Sequence, residues 1–539
     1  MNKTLVTFLT VFLIALAGLA LVAWDRVLRP SSHFHFTDLA ESFLAGRLDT
    51  DTPMRRKGVG PIPGDPEGLA RAVDRHLGEN GGWNDWASYF EITLPGGERY
   101  TGVWPWKYRG KGAAGADRRE EFVTTDGRRL KLSPSEAVRL CEELPKGMDA
   151  DQALAWAERD RYPQRRQACA EYDGPGMERC PAGSRPFTCL QRHHFVSFPP
   201  GPALLALPAV ALVHYNFNDV LFTLLLAGLC AVLLLGLLRQ LRGLNYSGQD
   251  QRTDLWMVFA FVFGSVFFFS AVRGEVWFTA LVCGVLFNLI YVWAATDLRH
   301  PLVAGLALAA AFTCRTSALF GAVYFGLMLV LLRAPWDRAG MLLRFKKALA
   351  FGLPCLVVGV ALMFYNKARY HSFGEFGHTY LMDGTRDSIV DHGMFSFWFL
   401  SRNLAAAFTN VPLPLDHWPW LRVSGNGLSL LLTTPIFLYL LWPRRGDQVQ
   451  EGLDRFRWPL RRILWVSVAA VGVPLLLYQN TGWLQFGYRF SLDVMPFLWV
   501  LFALDRRPRG PLFKGLIVLG FLVNLFGAIT FGRFGAFYG

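Results

Sequence analysis

Residues 198–214 read Phe-Pro-Pro-Gly-Pro-Ala-Leu-Leu-Ala-Leu-Pro-Ala-Val-Ala-Leu-Val-His. The apolar part, Gly201 to Val213, holds about 13 residues, whereas a bilayer core of about 30 Å needs about 20 per crossing helix. Whether this stretch crosses decides the sidedness of everything after it. Ten apolar segments follow: about 219–238, 255–272, 276–295, 302–313, 318–332, 348–365, 427–441, 463–477, 492–504 and 513–531. If 201–213 crossed, Arg239, Arg242, Arg252 and the basic stretches 333–347 and 444–462 would face outward. If it lies in the membrane plane, all of them face the cytoplasm, together with Arg506, Arg507, Arg509 and Lys514. The positive-inside rule selects the second arrangement. The expectation is an all-α polytopic membrane protein with about 11 transmembrane helices and a cytoplasmic N-terminus.

Composition agrees with that reading. The 539 residues are 52% hydrophobic and 18% charged, with a mean hydropathy of +0.25, too apolar for several soluble domains and too poor in charge for disorder. Heptads, short-period repeats and low-complexity tracts are absent, which excludes coiled coils and solenoids. A net charge of +13 raises the question of nucleic acid. The polar stretch 25–195, however, contains about 26 basic and about 26 acidic residues and is neutral. The excess charge belongs to the membrane portion, where it is a topology signal, and no nucleic-acid partner is expected.

The first apolar run, Leu5 to Trp24, follows a single Lys3 and lacks a small-residue cleavage site, so it reads as an uncleaved anchor (1–24). Residues 25–198 then form a large α+β extracytoplasmic loop, with strand-like pieces at 91–94 and 121–124 and helix-like pieces at 134–144 and 151–159. Residues 199–214 are the in-plane juxtamembrane helix, and 215–539 the multi-span domain. Cys141, Cys169, Cys180 and Cys189 lie in the loop at spacings of 28, 11 and 9, an even number in an oxidising compartment and unlike zinc-finger spacing. Two disulfides are expected, with the pairing open. Cys230, Cys283, Cys314 and Cys355 fall in apolar segments and read as small packing residues.

Five motifs are spread along the length of the chain. They are His35-Phe-Thr-Asp38-Leu-Ala-Glu41-Ser-Phe-Leu-Ala-Gly-Arg47-Leu48, Phe198-Pro-Pro-Gly-Pro-Ala-Leu204, Ala311-Phe-Thr-Cys-Arg315, Tyr365-Asn-Lys-Ala-Arg369-Tyr370 with Glu375-Phe-Gly377, and Gln485-Phe-Gly-Tyr488-Arg489-Phe490. With the short anchor and the large first loop, this layout resembles the GT-C superfamily of integral membrane glycosyltransferases, which includes protein O-mannosyltransferases and the aminoarabinose transferase of lipid A. The resemblance covers roughly 350 residues; about 95–192 has no counterpart and reads as an inserted subdomain. It implies a polyprenyl-phosphate sugar donor, inverting transfer to an extracytoplasmic glycan, lipid or protein acceptor, a catalytic carboxylate in the first external loop, and residence in the bacterial inner membrane.

The residues fit such chemistry. Inverting transfer needs a base for the acceptor hydroxyl. Asp38 and Glu41 are three apart, one helix face, and partial burial raises a carboxylate towards the working range. The same four residues also read as a capping box, with Asp38 as N-cap and Glu41 reaching back. A departing phosphate needs cations or oriented donors. Arg315, between two apolar half-segments, is costly unless it faces a cavity or a partner. Arg489, Tyr488, Arg369, His378 and Arg273 are the other donor-phosphate candidates. Against them stand an Arg489–Asp493 pair, an Arg273–Glu275 surface pair, and interface anchoring of Lys367, Arg369, His371 and His378. Phe395 to Phe399 and Trp418 to Trp420 read as interface belts. No cofactor is assigned; a divalent metal is the alternative suggested by His33, His35 and Asp38 and by His193–His194, neither group having a defined second shell. Walker loops, nucleophile elbows and dinucleotide glycine motifs are absent. The rivals are a lipid-linked saccharide flippase, a glycan polymerase or ligase, and a non-catalytic assembly protein.

Overall fold

A computed structural model describes residues 3–28, 30–31, 33, 35–50, 60–62, 65–70, 86–93, 98–103, 121–126, 128–131, 189–378, 387–441, 455–504 and 509–538. The chain is mostly helical. Among the described residues six helices are long and apolar enough to cross a membrane: Thr4–Leu28, Asp219–Gly243, Val276–Leu298, Arg338–Tyr370, Leu460–Leu477 and Pro511–Thr530. The chain divides into two units, the first made of Met1–Ser31, Asn218–Val360 and His392–Gly539, the second of Ser32–Phe217 and Ala361–Asp391.

In the first unit, helix Val276–Ala295 is buried along most of its length, apolar all round as a central bundle helix must be. Its two ends are marked by different polar networks. At the Val276 end, Arg273 pairs with Glu275, and Arg26 (3.0 Å) and Arg273 (2.7 Å) both donate to the Phe531 carbonyl, satisfying an oxygen at the end of the last helix. At the other end, Arg455 pairs with Asp297 at 2.5 Å, Lys347 donates to the Leu298 carbonyl at 2.8 Å, and Tyr246 donates to Asp297 at 3.4 Å.

The run 302–332, read from sequence as two spans, takes a different form. Helix Pro301–Cys314 leaves from the Asp297 end and stops at Arg315, whose backbone is extended. There it meets the middle of the central helix: a Cβ on Gly284 would lie 2.6 Å from Arg315 Cγ. After a 3-10 turn, Thr316–Gly321, helix Ala322–Leu331 runs back, with the Tyr324 hydroxyl 3.0 Å from Thr296 Oγ1 and Arg333 N–H donating to the Arg455 carbonyl. The segment is a helical hairpin that returns to the end it left. Fourteen residues at about 1.5 Å each reach about 21 Å, short of a 30 Å core, so the half-length helices and the hairpin have one cause.

In the second unit, helix His35–Leu44 ends at Gly46, whose positive φ of 68° suits a residue without Cβ; Arg47 N–H donates to the Ser42 carbonyl, closing the last turn. Five strands form one antiparallel sheet in the order β6-β5-β4-β3-β7: β3 is Trp86–Thr93, β4 Arg99–Val103, β5 Glu121–Thr124, β6 Arg129–Lys131 and β7 Cys189–Val196, after a separate hairpin of β1 (Gly60–Ile62) and β2 (Asp65–Ala70). The strand-like pieces expected near 91 and 121 are thus β3 and β5. β4 pairs with β3 across residue 95, so the described strands of 95–192 share one sheet with β3. The helix-like pieces 134–144 and 151–159 lie outside the described residues. Ala87, Tyr89, Phe195 and Tyr370 make the small apolar core under the sheet.

Helix Gly201–Val213 starts after Pro199-Pro200 with a proline in its first turn, where a missing N–H costs nothing. Ala203, Ala206 and Val210 are buried, while Leu204 and Leu212 are exposed, so one long side of an apolar helix is bare.

Candidate functional site

The two acids sit on helix His35–Leu44, whose sequence buries His35, Phe36, Leu39 and Ala40. The helix starts three residues before Asp38, which corrects the capping-box reading: Asp38 lies inside the first turns, and its carboxylate accepts from a side chain. That side chain is Tyr215, whose hydroxyl is 3.0 Å from Asp38 Oδ1. The next residue upstream serves the other acid, with His214 Nδ1 3.0 Å from Glu41 Oε1. Asp38 is 2% exposed, so of the pair it is Glu41, half-buried, that keeps access to solvent. Burial pushes the Glu41 carboxyl above its ordinary range, opposed by the His214 hydrogen bond.

His214 caps helix Gly201–Val213 with φ 48° and ψ −135°. A non-glycine residue at positive φ costs of order 1–3 kcal/mol and persists where its surroundings hold it. Here both neighbours in the contact hold it: Glu41 on the imidazole and Asp38 on Tyr215.

In the first unit the predicted cations form a column. Arg273 lies over the Phe278 ring (5.5 Å to its centre), and Arg489 also stacks on Phe278 (4.9 Å). Arg489 and Arg315 then share the Phe490 ring at 5.8 and 5.2 Å. Three guanidiniums thus alternate with two aromatic rings from the Arg273–Glu275 end towards the middle of the central helix, each cation within cation–π range of an aromatic face. At the inner end Arg315 binds Asp493 through two hydrogen bonds, 3.1 and 2.8 Å, and Ser317 adds a third at 2.6 Å. The partner of Asp493 is therefore Arg315, not Arg489 as its helical spacing had suggested. Arg489 is instead seated by its backbone, its N–H donating 3.0 Å to Gln485 Oε1. Tyr488 is buried beside Phe490, and among the described residues its hydroxyl makes no hydrogen bond.

The other predicted residues are placed as follows. Arg273 does pair with Glu275, at 2.5 and 2.9 Å, but the pair is largely buried rather than on the surface. Arg369 is buried, donating to the Val196 carbonyl (2.9 Å) and Asn366 (3.0 Å) and stacking on Tyr365, so it ties helix Arg338–Tyr370 to the end of β7. His378 is half-buried in the turn after Gly377, and burial pushes its imidazole below the ordinary value. Asp38, Glu41, Arg369 and His378 belong to the second unit; Arg273, Arg315, Tyr488 and Arg489 belong to the first. Among the described residues no group of three His, Cys, Asp or Glu side chains could hold a metal ion. Cys141, Cys169 and Cys180 lie outside the described residues, and only the backbone of Cys189 is described, in β7. Cys230, Cys283 and Cys314 are buried free thiols and Cys355 a half-buried one.

Sequence reasoning missed His214, Tyr215, Phe278 and the Arg315–Asp493 pairing. A histidine directly ending a short apolar helix was the one available signal; the pairing spans 178 positions and leaves no local trace. No protein-family model matches the chain, and no curated protein or solved structure matches it either.

Proposed function

We propose that the chain is an inverting glycosyltransferase of the GT-C kind, moving a sugar from a polyprenyl-phosphate donor to an extracytoplasmic acceptor in a bacterial inner membrane. The observation that carries this reading is the acidic helix directly after the first apolar helix, with both carboxylates fixed by hydrogen bonds from residues 214 and 215. In this reading the Asp38–Glu41 pair supplies the base. Within the first unit, the arginine column with the buried Tyr488 hydroxyl beside it is a set of donors suited to a phosphate. The bare apolar face of helix Gly201–Val213 lies in the membrane plane and lines the lipid entrance. Two disulfides among the four loop cysteines brace an oxidising-side loop.

The proposed sidedness keeps the N-terminus cytoplasmic. A hairpin that returns to its starting end has the same parity as two crossings, so reading 302–332 as a hairpin leaves every basic cluster on the side the charge bias assigns it.

One observation favours a second reading. An interrupted helix with a charge pair at half-depth is the arrangement of substrate sites in transporters, which points to a lipid-linked saccharide flippase. The two readings separate in proteoliposomes loaded with polyprenyl-phosphate sugar. The enzyme releases polyprenyl phosphate in the presence of acceptor, and D38N/E41Q loses at least about 10²-fold of that rate. A flippase moves intact donor between leaflets and releases none. Full release by the double variant sinks the assignment of the acids.

A further inference from the structure

We propose that the two carboxylates act through His214 rather than as the base themselves: His214 takes the proton from the acceptor hydroxyl, with Glu41 behind it as the carboxylate that orients the imidazole. This rests on the glycosyl-transfer reading above. Three observations carry it. The first is access: the His214 side chain is 66% exposed, Glu41 19% and Asp38 the most buried, so the imidazole is the outermost basic group of the three. The second is orientation. With Nδ1 donating to Glu41 at 3.0 Å, the neutral tautomer carries its lone pair on Nε2, directed away from the helix that holds the acid. The third is the backbone: His214 sits at φ 48°, a conformation glycine would hold without strain, yet an imidazole occupies it. Tyr215 on Asp38 pins the same turn from the other side, so Asp38 acts as a positioning residue.

The acceptor O–H bond breaks and its proton goes to Nε2 while the oxygen forms a bond to the anomeric carbon. The bond from that carbon to the phosphate oxygen breaks, and its electron pair leaves with the polyprenyl phosphate. The imidazolium formed lies against the Glu41 carboxylate, which stabilises it until the proton passes to water.

The test uses the full chain in proteoliposomes with the polyprenyl-phosphate sugar fraction extracted from the membranes that express it, reading release of polyprenyl phosphate. His214→Gly suits the backbone, so it folds as well as the parent or better. It is expected to lose about 10²-fold or more of the release rate, and added imidazole is expected to restore a large part of it. His214→Gln, which still donates to Glu41 but accepts no proton, is expected to stay as slow and to gain nothing from imidazole. Wild-type turnover by either variant overturns the inference and leaves the transfer reading standing. Loss that imidazole cannot rescue in His214→Gly also overturns it, because that is what a merely structural residue would show. Absence of release by the wild-type chain refutes the transfer reading and this inference with it.

Discussion

The inner end of the arginine column makes the sharpest energetic prediction. Asp493 is 3% exposed at its side chain and accepts two hydrogen bonds from Arg315 and one from Ser317; Arg315 is 18% exposed and keeps the Phe490 ring as a second partner. Removing one member of a buried pair costs about 3–5 kcal/mol, because the other charge is left uncompensated. The asymmetry in burial sets the order. Arg315→Ala strands a carboxylate with only one neutral donor and belongs at the upper end, about 5 kcal/mol. Asp493→Ala leaves a cation that still has an aromatic face and some access to water, and belongs near about 3 kcal/mol. The double variant removes both charges, so the losses do not add, and the coupling should be about 2–3 kcal/mol. Arg315→Lys keeps the charge but not the two-pronged geometry and falls between the parent and Arg315→Ala. The assay is unfolding in mixed micelles by titrated dodecyl sulfate, followed by tryptophan fluorescence. A coupling below about 0.5 kcal/mol, or Asp493→Ala costing more than Arg315→Ala, would refute the reasoning.

Two further outcomes follow from the geometry. A Cβ on Gly305 would run into the Phe351 carbonyl, backbone that cannot swing aside, whereas Gly359 has nothing within 4 Å; G305A should lose about 1–3 kcal/mol in the same unfolding assay and G359A should gain up to about 1. In the second unit His193 lies 3.5 Å from Asp49 and 3.8 Å from Glu91; burial lowers its imidazole, but the two carboxylates win and raise it above 6.5, while the His193 hydrogen bond holds Asp49 below 3.8. The histidine's contribution is then complete below pH 6.5 and is lost as pH rises through its raised value, and that of Asp49 is complete above 3.8 and is lost as pH falls through its lowered one. Hydrogen-exchange protection of β3 and β7 amides, corrected for intrinsic rate, should decline on both sides of that window, and His193→Gln should remove the upper decline alone.

What could be read from sequence depended on how far apart the interacting residues lie. The long apolar helices were legible because each is written in about 20 consecutive residues, and β3 and β5 because alternation is local. Helix Gly201–Val213 was legible for the same reason, from its prolines and its length. The capping-box reading failed because four residues carry two compatible meanings, and the choice was made by Tyr215, 177 positions away. Arg489 and Asp493 looked like partners because four residues make one helical turn, yet the chain there is a 3-10 turn, Arg489–Asp493, in which they do not share a face. The carboxylate was left to an arginine from another segment.

The hairpin marks the limit of reading topology from charge. Charge bias reports only which side a loop occupies, so it is blind to whether the chain crossed twice or turned back halfway. Length was the better witness: apolar stretches of about 12 and 15 residues are too short to cross a 30 Å core, and the arginine between them marks where the first stops. An arginine at a hairpin tip within the bundle is expensive unless paired. Asp493 is brought to it by the turn that also sets Tyr488, Arg489 and Phe490 in place, so the break in the helix, the buried pair and the stacked column are one construction. A substitution that fills the space at Gly284 where Arg315 packs, such as G284L, should therefore disturb Arg489 and Phe490 as well as Arg315.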